Sequence, residues 1–416
     1  MHAHTVVLTI GGSDSGGGAG IQADLKTFSI LGVHGTSAIT AVTAQNTLGV
    51  KEVFPMEPKA VLSQMEAVLS DFDISWAVTG MLPTAGVVKA VADASDKLGL
   101  NLVVDPVIRA EAGGRLFSPE AVAALKERVI PVARVITPNI FEARNLTGIQ
   151  VKDLASAEEA ARAILDMGAG AAVVKGGHLD CTDLILQGGD PKLVRGRTER
   201  GGNHGVGCTY SSSLTAFLAM GSTLIDAATK AQRFSAMAVR YSPKIGHGPG
   251  PVDQAGALRE EAERFRVLSE VMRAGDILQV PEAELLAPKK GMSVAMALEN
   301  TSSLDDVASA EGILAEDRSF GCATFGRRSS TALALLDAMA GNSRIRAALS
   351  LSQYTMDILA EAVEESSTAI TKGSSLWQGP FITRDPEGEG PRAMLLGSSA
   401  LYLARWALKA AKTRTH

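Results

Sequence analysis

The sequence predicts an α/β fold: a largely parallel sheet with helices on both faces, followed by a second, smaller α/β domain. Three observations predict it. Short apolar, β-branched runs alternate with segments of helical periodicity over the first 253 residues. Polar and glycine-rich stretches follow the apolar runs, where ligands of such sheets bind. The composition changes near residue 250, where "KIGHGPGPVD" reads as a closing loop.

The elements follow in order. "TVVLTI" is a strand and "GGSDSGGGAG" a loop. "IQADLKTFSILG" places Ile21, Leu25 and Phe28 at helical spacing and stops at Gly32. "NLVVDPV" is a strand. "SPEAVAALKERVIP" is a helix capped by Ser118, with Pro119 at its first position. "ARVITPN" and "IFEARNLTG" are the next strand and helix, and "SAEEAARAILDMG" and "AAVVKGG" the next helix and strand. Asn203 to Gly207 are turn-formers, and Thr209 to Leu218 can be helical. Beyond a boundary near Asp253, "AGALREEAERFRVLSEVMRAGD" is a long charged helix. The expected domains are 1–253 and 256–416.

Composition excludes several classes. A chain of 416 residues suggests two to three domains, and 46% hydrophobic residues suffice for real cores. Lys+Arg 40 against Asp+Glu 45 gives a net charge of -5, with no basic run to suit nucleic acid or an anionic membrane. Cys181, Cys208 and Cys322 lie far apart, which fits a reducing cytosol. "MHAHTVVLTIGG" lacks the features of a signal peptide, and no apolar run is long enough to span a membrane. A cytoplasmic location is expected.

The loops carry the chemistry. "GGSDSGGGAG" has six glycines in ten residues but neither a dinucleotide nor a P-loop signature, so its backbone is expected to approach a small ligand closely. Asp24, early in the next helix, is a candidate partner for the helix dipole. The Gln45 carboxamide can read a heterocycle's donor and acceptor edge. Asp105 and Glu142 follow two strands and can hold Mg²⁺ through water. Asn139, Lys175 and Gly176 suit a nucleotide. The stretch "NHGVGCTYSSSLTAFL" is a glycine turn running into a helix start. There the amides from Gly205 through Gly207 to Cys208 can bind an anion and stabilise a transferring phosphoryl group. Cys208 in that field is expected to have a lowered pKa and to accept a proton from a substrate hydroxyl.

In order, "TIGGSDSGGGAGIQADLKTFS", "TAVTAQNT", "GML", "VVDPV", "TPNIFEA", "VKGGH" and "HGVGCTYSS" resemble the hydroxymethylpyrimidine/phosphomethylpyrimidine kinases of thiamine biosynthesis, in the ribokinase-like superfamily. The resemblance implies a Rossmann-like fold, ATP with Mg²⁺, and phosphorylation of the pyrimidine at its hydroxymethyl group and then at the resulting phosphate. It places Gly12, Asp24, Gln45, Met81 and Val107 in the pyrimidine pocket, and makes Cys208 the base or near-base. Pyridoxal kinase, here joined to a regulatory ligand-binding domain, is the alternative that shares the fold and the cysteine.

The C-terminal stretches "PKKGMSVAMALENTSSLDDVASAEGIL", "TFGRRSSTALALLDAM", "SRIRAALSLSQYT" and "GEGPRAMLLGSSALYLA" resemble a thiamine-phosphate synthase domain. This implies binding of thiamine phosphate or its precursors. Members with synthase activity carry an arginine in "GRI" and a histidine in "FGxSSH". Here Ile313 and Thr331 stand at those places, with Arg327 and Arg328 as neighbouring cations. A phosphate site is expected at Gly326, Arg327, Arg328, Ser329 and Ser330, helped by Gly397 to Ser399. Either a bifunctional kinase and synthase or a kinase with a binding module results. Small-molecule substrates and a homo-oligomer are expected.

Overall fold

The structure is a computed structural model, and the residues it describes are 4–108, 118–288, 291–313, 319–352, 355, 381–384 and 392–413. Of the C-terminal stretches quoted above, Lys289, Lys290, Leu314, Gln353, Tyr354 and residues 388–391 lie outside them. The chain divides into two compact units, Met1–Ala257 and Leu258–His416.

The first unit runs β1 (Val6–Asp14), α1 (Gly20–Ile30), β2 (His34–Asn46), β3 (Gly49–Pro55), α2 (Pro58–Leu69), β4 (Trp76–Thr79), α3 (Ala85–Lys97) and β5 (Asn101–Val104). It continues α4 (Pro119–Ala124), β6 (Ala133–Ile136), α5 (Ile140–Thr147), α6 (Leu154–Asp166), β7 (Ala172–Val174), β8 (Thr182–Leu186), β9 (Lys192–Arg195), α7 (Val206–Ala219) and α8 (Leu224–Arg240). Nine strands form one sheet in the order β3-β2-β1-β4-β5-β6-β7-β8-β9. The pairs from β2 to β7 are parallel, whereas β3, β8 and β9 pair antiparallel at the two ends.

Burial on both faces explains the near-continuous apolar runs. Alternate residues of one strand enter different helical layers. Leu8 and Ile10 pack with Met65 of α2 and Val88 of α3, while Val7 packs with Phe28 of α1 and Leu214 of α7.

Local chemistry sets the boundaries. The Ser118 hydroxyl accepts the Ala121 amide, as a cap should. The helix after it is α-helical only to Ala124, however, and then becomes a π turn (Leu125–Val129) and a 3₁₀ turn (Ile130–Val132). Pro131 explains the change, because it has no amide to continue the ladder. α6 begins at Leu154, two residues before the expected Ser156, because Asp153 and Ser156 cap it reciprocally. β1 is longer than expected and runs through Gly11 and Gly12 to Asp14.

The second unit holds most of α9 (Gly256–Ile277), then β10 (Met292–Ala297), β11 (Val307–Ile313), β12 (Ser319–Phe320), β13 (Thr324–Phe325), α10 (Ser330–Gly341), β14 (Ala347–Ser352), β15 (Phe381–Arg384), β16 (Arg392–Gly397) and α11 (Ala400–Thr413). Its seven-stranded sheet is antiparallel, in the order β12-β11-β10-β14-β16-β15, with β13 also on β11. One face packs on α9 and α11, the other on α10. Among the described residues, no helix is long and apolar enough to cross a membrane.

Candidate active site

The carboxyl ends of β1, β4, β5, β6 and β7 open on one cavity of about 1070 Å³, which Asp14, Met81, Asp105, Asn139 and Lys175 line. The strand order reverses between β1 and β4, so the cavity lies at the switch point where open α/β sheets bind ligands.

The glycine-rich loop has two parts. Gly11, Gly12 and Gly20 line the cavity, while other amides wrap the chain's own carboxylate: Asp14 accepts N–H groups from Gly16 at 2.8 Å, Gly18 at 3.1 Å and Ala19 at 2.9 Å. His204 Nε2 lies 3.0 Å from the same carboxylate. Burial by itself would raise the Asp14 pKa, but the hydrogen bonds from His204, Ala19 and Gly16 hold it below the ordinary value. The glycines are needed for packing between loops. A Cβ on Gly18 would lie 2.3 Å from His204 Cδ2, and one on Gly205 would lie 1.9 Å from Gly18 O.

Gly205 caps α7 with φ +86°, a conformation suited to glycine. The Val206 amide is taken by Asn203 O at 3.0 Å. The first-turn amides of Gly207 and Cys208 remain for an anion. Gly207 matters for what it lacks: a Cβ there would point at Lys175 Nζ (3.5 Å) and Asp105 Oδ2 (3.6 Å). The helix start, the ammonium and the carboxylate thus meet across a bare backbone.

Lys175 Nζ donates to Asp105 Oδ1 at 2.8 Å and stands 3.9 Å from Glu142 Oε2. Burial pulls the Lys175 pKa down, but the charges of Asp105 and Glu142 overcome it, so the ammonium persists above its ordinary range. Glu142 also accepts the Asn139 amide at 2.8 Å, and the Asn139 side chain accepts from Phe141 and Glu142. Both residues therefore form the capping box of α5 while lining the cavity. Gly176 does not line it. Its amide is spent on Asp183 at 2.7 Å, and a Cβ would sit 1.8 Å from Thr182 O. The neighbouring Gly177 lines the cavity instead.

Two further expectations are corrected. The Cys208 thiol is pushed well up, not down: burial dominates, and the charges of Asp24 and Asp105 outweigh the hydrogen bond from the Gly20 amide and the charge of Lys175. Asp24 lies beyond the first turn of α1, buried, and accepts from Thr9 Oγ1 at 2.7 Å. Burial raises its carboxyl to about 7, so it serves the pocket floor and not the helix dipole.

Gly12, Gln45, Met81 and Val107 line the same cavity. A Cβ on Gly12 would lie 3.1 Å from Met81 Sδ, so the glycine makes room for that side chain. Sequence reasoning passed over Asp14 and His204. Their signal was position, one inside the glycine run and the other one residue before Gly205.

In the second unit, Gly326 takes φ +76°, and Ser329 caps α10 by accepting the Ala332 amide at 3.1 Å. Ser330 begins α10, and Arg327 and Arg328 are exposed. Thr331 is fully buried, with its hydroxyl unpaired. The side chain of Ile313 lies outside the described residues. Ser399 is committed to Glu270 and to the start of α11. Gly397, Ala347, Met296, Ala308 and Phe325 form one row across the sheet. The two strand ends that lead into the serine-rich loops, Phe325 and Gly397, therefore stand four strand spacings apart, about 19 Å.

This fold and site define a ribokinase-like phosphotransferase. Residues 14–253 match the phosphomethylpyrimidine kinase family, and the chain belongs to it. Residues 270–374 match a second family, thiamine-phosphate synthase ThiN. The hydroxymethylpyrimidine/phosphomethylpyrimidine kinase of Haemophilus influenzae is 48% identical over 256 residues, which cover 59% of this chain and 95% of that protein. The thiamine biosynthesis bifunctional protein ThiED of Geobacter sulfurreducens is 42% identical over 263 residues, covering 62% of this chain and 54% of that protein. The solved ADP complex of Bacillus subtilis pyridoxal kinase aligns with a TM-score of 0.57 and 33% identity, over 62% of this chain and all of that one.

Proposed function

We propose that the first domain, residues 1–253, transfers the terminal phosphoryl group of ATP to hydroxymethylpyrimidine and then to its monophosphate. The observation that carries this is the meeting of the bare α7 start, Lys175 and Asp105 across Gly207, in a cavity that Gln45 and Met81 also line. Relatives at 41–48% identity bear the pyrimidine kinase name.

Each residue has a part. The Gly207 and Cys208 amides hold phosphoryl oxygens, and Lys175 offsets their charge. Asp105 and Glu142, two oxygen donors around one ammonium, fit a hard cation held largely through water and phosphate. Mg²⁺ there would supply charge neutralisation on the phosphates. Cys208 is a thiol at neutral pH, so it positions the substrate hydroxyl by hydrogen bonding, and the hydroxyl proton leaves onto the oxygens of the transferred phosphoryl group as transfer advances. A dissociative transition state tolerates this timing. Comparing turnover on hydroxymethylpyrimidine and pyridoxal tests the reading. Preference for pyridoxal would replace it with a pyridoxal kinase.

For the second domain, residues 256–416, binding of thiamine phosphate without synthase activity is the reading the residues support. Thr331 cannot act as an acid at neutral pH, and isoleucine at position 313 carries no charge of its own to offset a pyrophosphate leaving group. The full chain should be given ATP, hydroxymethylpyrimidine and thiazole phosphate. Pyrimidine pyrophosphate should accumulate. Multiple turnovers to thiamine phosphate would make the protein a bifunctional enzyme.

A further inference from the structure

His204 and Gln45 stand donor against donor. His204 Nε2 lies 3.0 Å from Asp14 Oδ2 and 3.4 Å from Gln45 Nε2. Asp14 accepts three backbone N–H groups and holds its carboxyl below the ordinary value, so it is an ionised, pure acceptor. His204 Nε2 must therefore carry a proton and donate it to Asp14. The group of Gln45 facing that N–H must then be an acceptor. The other end of the amide points to the same answer. Thr43 Oγ1 lies 3.1 Å from Ser13 O and 3.2 Å from Gln45 Oε1, yet it has one proton. Ser13 O and the amide oxygen can both only accept, so as the amide stands one of them goes without that proton. A half-turn of the carboxamide removes both conflicts: Oε1 shares the His204 Nε2–H with Asp14 over the longer contact, and Nε2 donates to Thr43.

We infer that His204 is a positioning residue whose Nε2–H fixes which way the Gln45 carboxamide points, and so which donor–acceptor pattern the pocket offers a heterocycle. Asp14 holds the imidazole, and Ser15 holds the backbone of Gln45: Ser15 Oγ donates to Gln45 O at 2.7 Å and accepts from Gln45 N at 2.8 Å. With both ends of Gln45 anchored, its remaining amide hydrogen and lone pair keep fixed places in the cavity. A ring with an amino donor beside a ring-nitrogen acceptor is matched in one orientation only. Its oxo counterpart, with acceptor and donor exchanged, is matched only by the flipped amide. The inference rests on the reading of Gln45 as a pyrimidine-facing residue.

The test is the kcat/KM ratio for the 4-amino pyrimidine against its 4-oxo counterpart. In His204→Ala the amide is free to turn, and the ratio should fall about tenfold, the size of one net hydrogen bond. In a Gln45→Ala background the same change should leave the ratio where it is. A ratio unchanged in His204→Ala, with both substrates slowed alike, would overturn the inference and leave the pocket reading standing. A Gln45→Ala protein with an unaltered KM for the pyrimidine would remove the pocket reading and the inference with it. A measurement on the unaltered full chain guards against misfolding. With ¹⁵N-labelled histidine, NMR should show Nε2 of His204 protonated at neutral pH, and a bare Nε2 would overturn the assignment.

Discussion

Gly207→Ala should separate stability from activity. The added methyl meets nothing closer than Lys175 Nζ at 3.5 Å and Asp105 Oδ2 at 3.6 Å, ordinary contact distances. The residue lies in the first turn of α7 without a positive φ, so alanine is compatible with the backbone. Replacing helical glycine by alanine stabilises by up to about 1 kcal/mol. For a unit of this size that raises Tm by roughly 2–4 °C. The same methyl projects into the space between the helix start, the ammonium and the carboxylate, where the proposed function places phosphoryl oxygens. Losing one such donor costs about 10² to 10³ in kcat. Calorimetry and a coupled ADP-release assay on the purified variant measure the two effects. A Gly207→Ala protein of undiminished Tm and native turnover would refute the placement of the phosphoryl group at this helix start. Gly205→Ala makes the contrast. Its Cβ would meet Gly18 O at 1.9 Å at φ +86°, so it should lose the fold of both loops, and its inactivity would carry no chemical meaning.

Cys208→Ala should lower turnover by about 10² to 10⁴ while leaving pyrimidine binding by calorimetry largely intact, and near-native turnover would remove the thiol from the mechanism. Gln45→Ala should raise KM for the pyrimidine more than KM for ATP, since an unpaired buried group costs roughly 1–3 kcal/mol; movement of the ATP constant alone would contradict the pocket assignment. Asp24 gives a pH prediction. Its folded carboxyl titrates at about 7, against an ordinary value of 3.8, so its contribution to stability is fully present below about pH 4 and is lost as pH rises through 7. Urea midpoints should therefore fall less between pH 5 and pH 8 in Asp24→Asn than in the native protein, and equal falls would refute the shift.

The sequence showed most of the parallel core, because strands buried on both faces must be apolar throughout and the helices between them have ordinary caps. Ser118, Asn139 and Gly148 act as their residue types suggest. The antiparallel ends of the sheet had a local signal that the expectation passed over: "QGGDP" joins β8 to β9 with Gly188 and Gly189 at positive φ, and Asn46 pairs Gly49 across a two-residue turn between β2 and β3. Proximity to the cavity was legible wherever a residue follows a strand, as Asp105 and Lys175 do. Direction was not. A glycine run reads the same whether its backbone lines a cavity, as Gly11, Gly12 and Gly20 do, or turns its amides inward on Asp14, as Gly16 and Gly18 do. Gly176 misled in the same way: the need for glycine there comes from Thr182 O and not from a nucleotide. The sign of the Cys208 shift could not be read either, because it depends on two acids that arrive from α1 and the end of β5.

Asp105, with Glu142, also bears on how the site handles charge. At the start of α7, one ammonium stands against Asp105 and Glu142. The helix adds about half a positive charge, which still leaves the group slightly negative when both carboxylates are ionised. Arg144 and Arg197 also line the cavity and can meet the outer phosphates. A nucleoside triphosphate nevertheless brings its own negative charge to the point where carboxylates already face it. Repulsion between them must be offset at that point, and oxygen donors that cannot be neutralised by Lys175 alone are suited to a divalent cation. The same negative field accounts for the thiol. With acids on two sides, an ionised cysteine would add a further charge to a site that must accept phosphate. Keeping Cys208 protonated, with the hydroxyl proton passing to the transferred phosphoryl oxygens, is the arrangement these electrostatics favour.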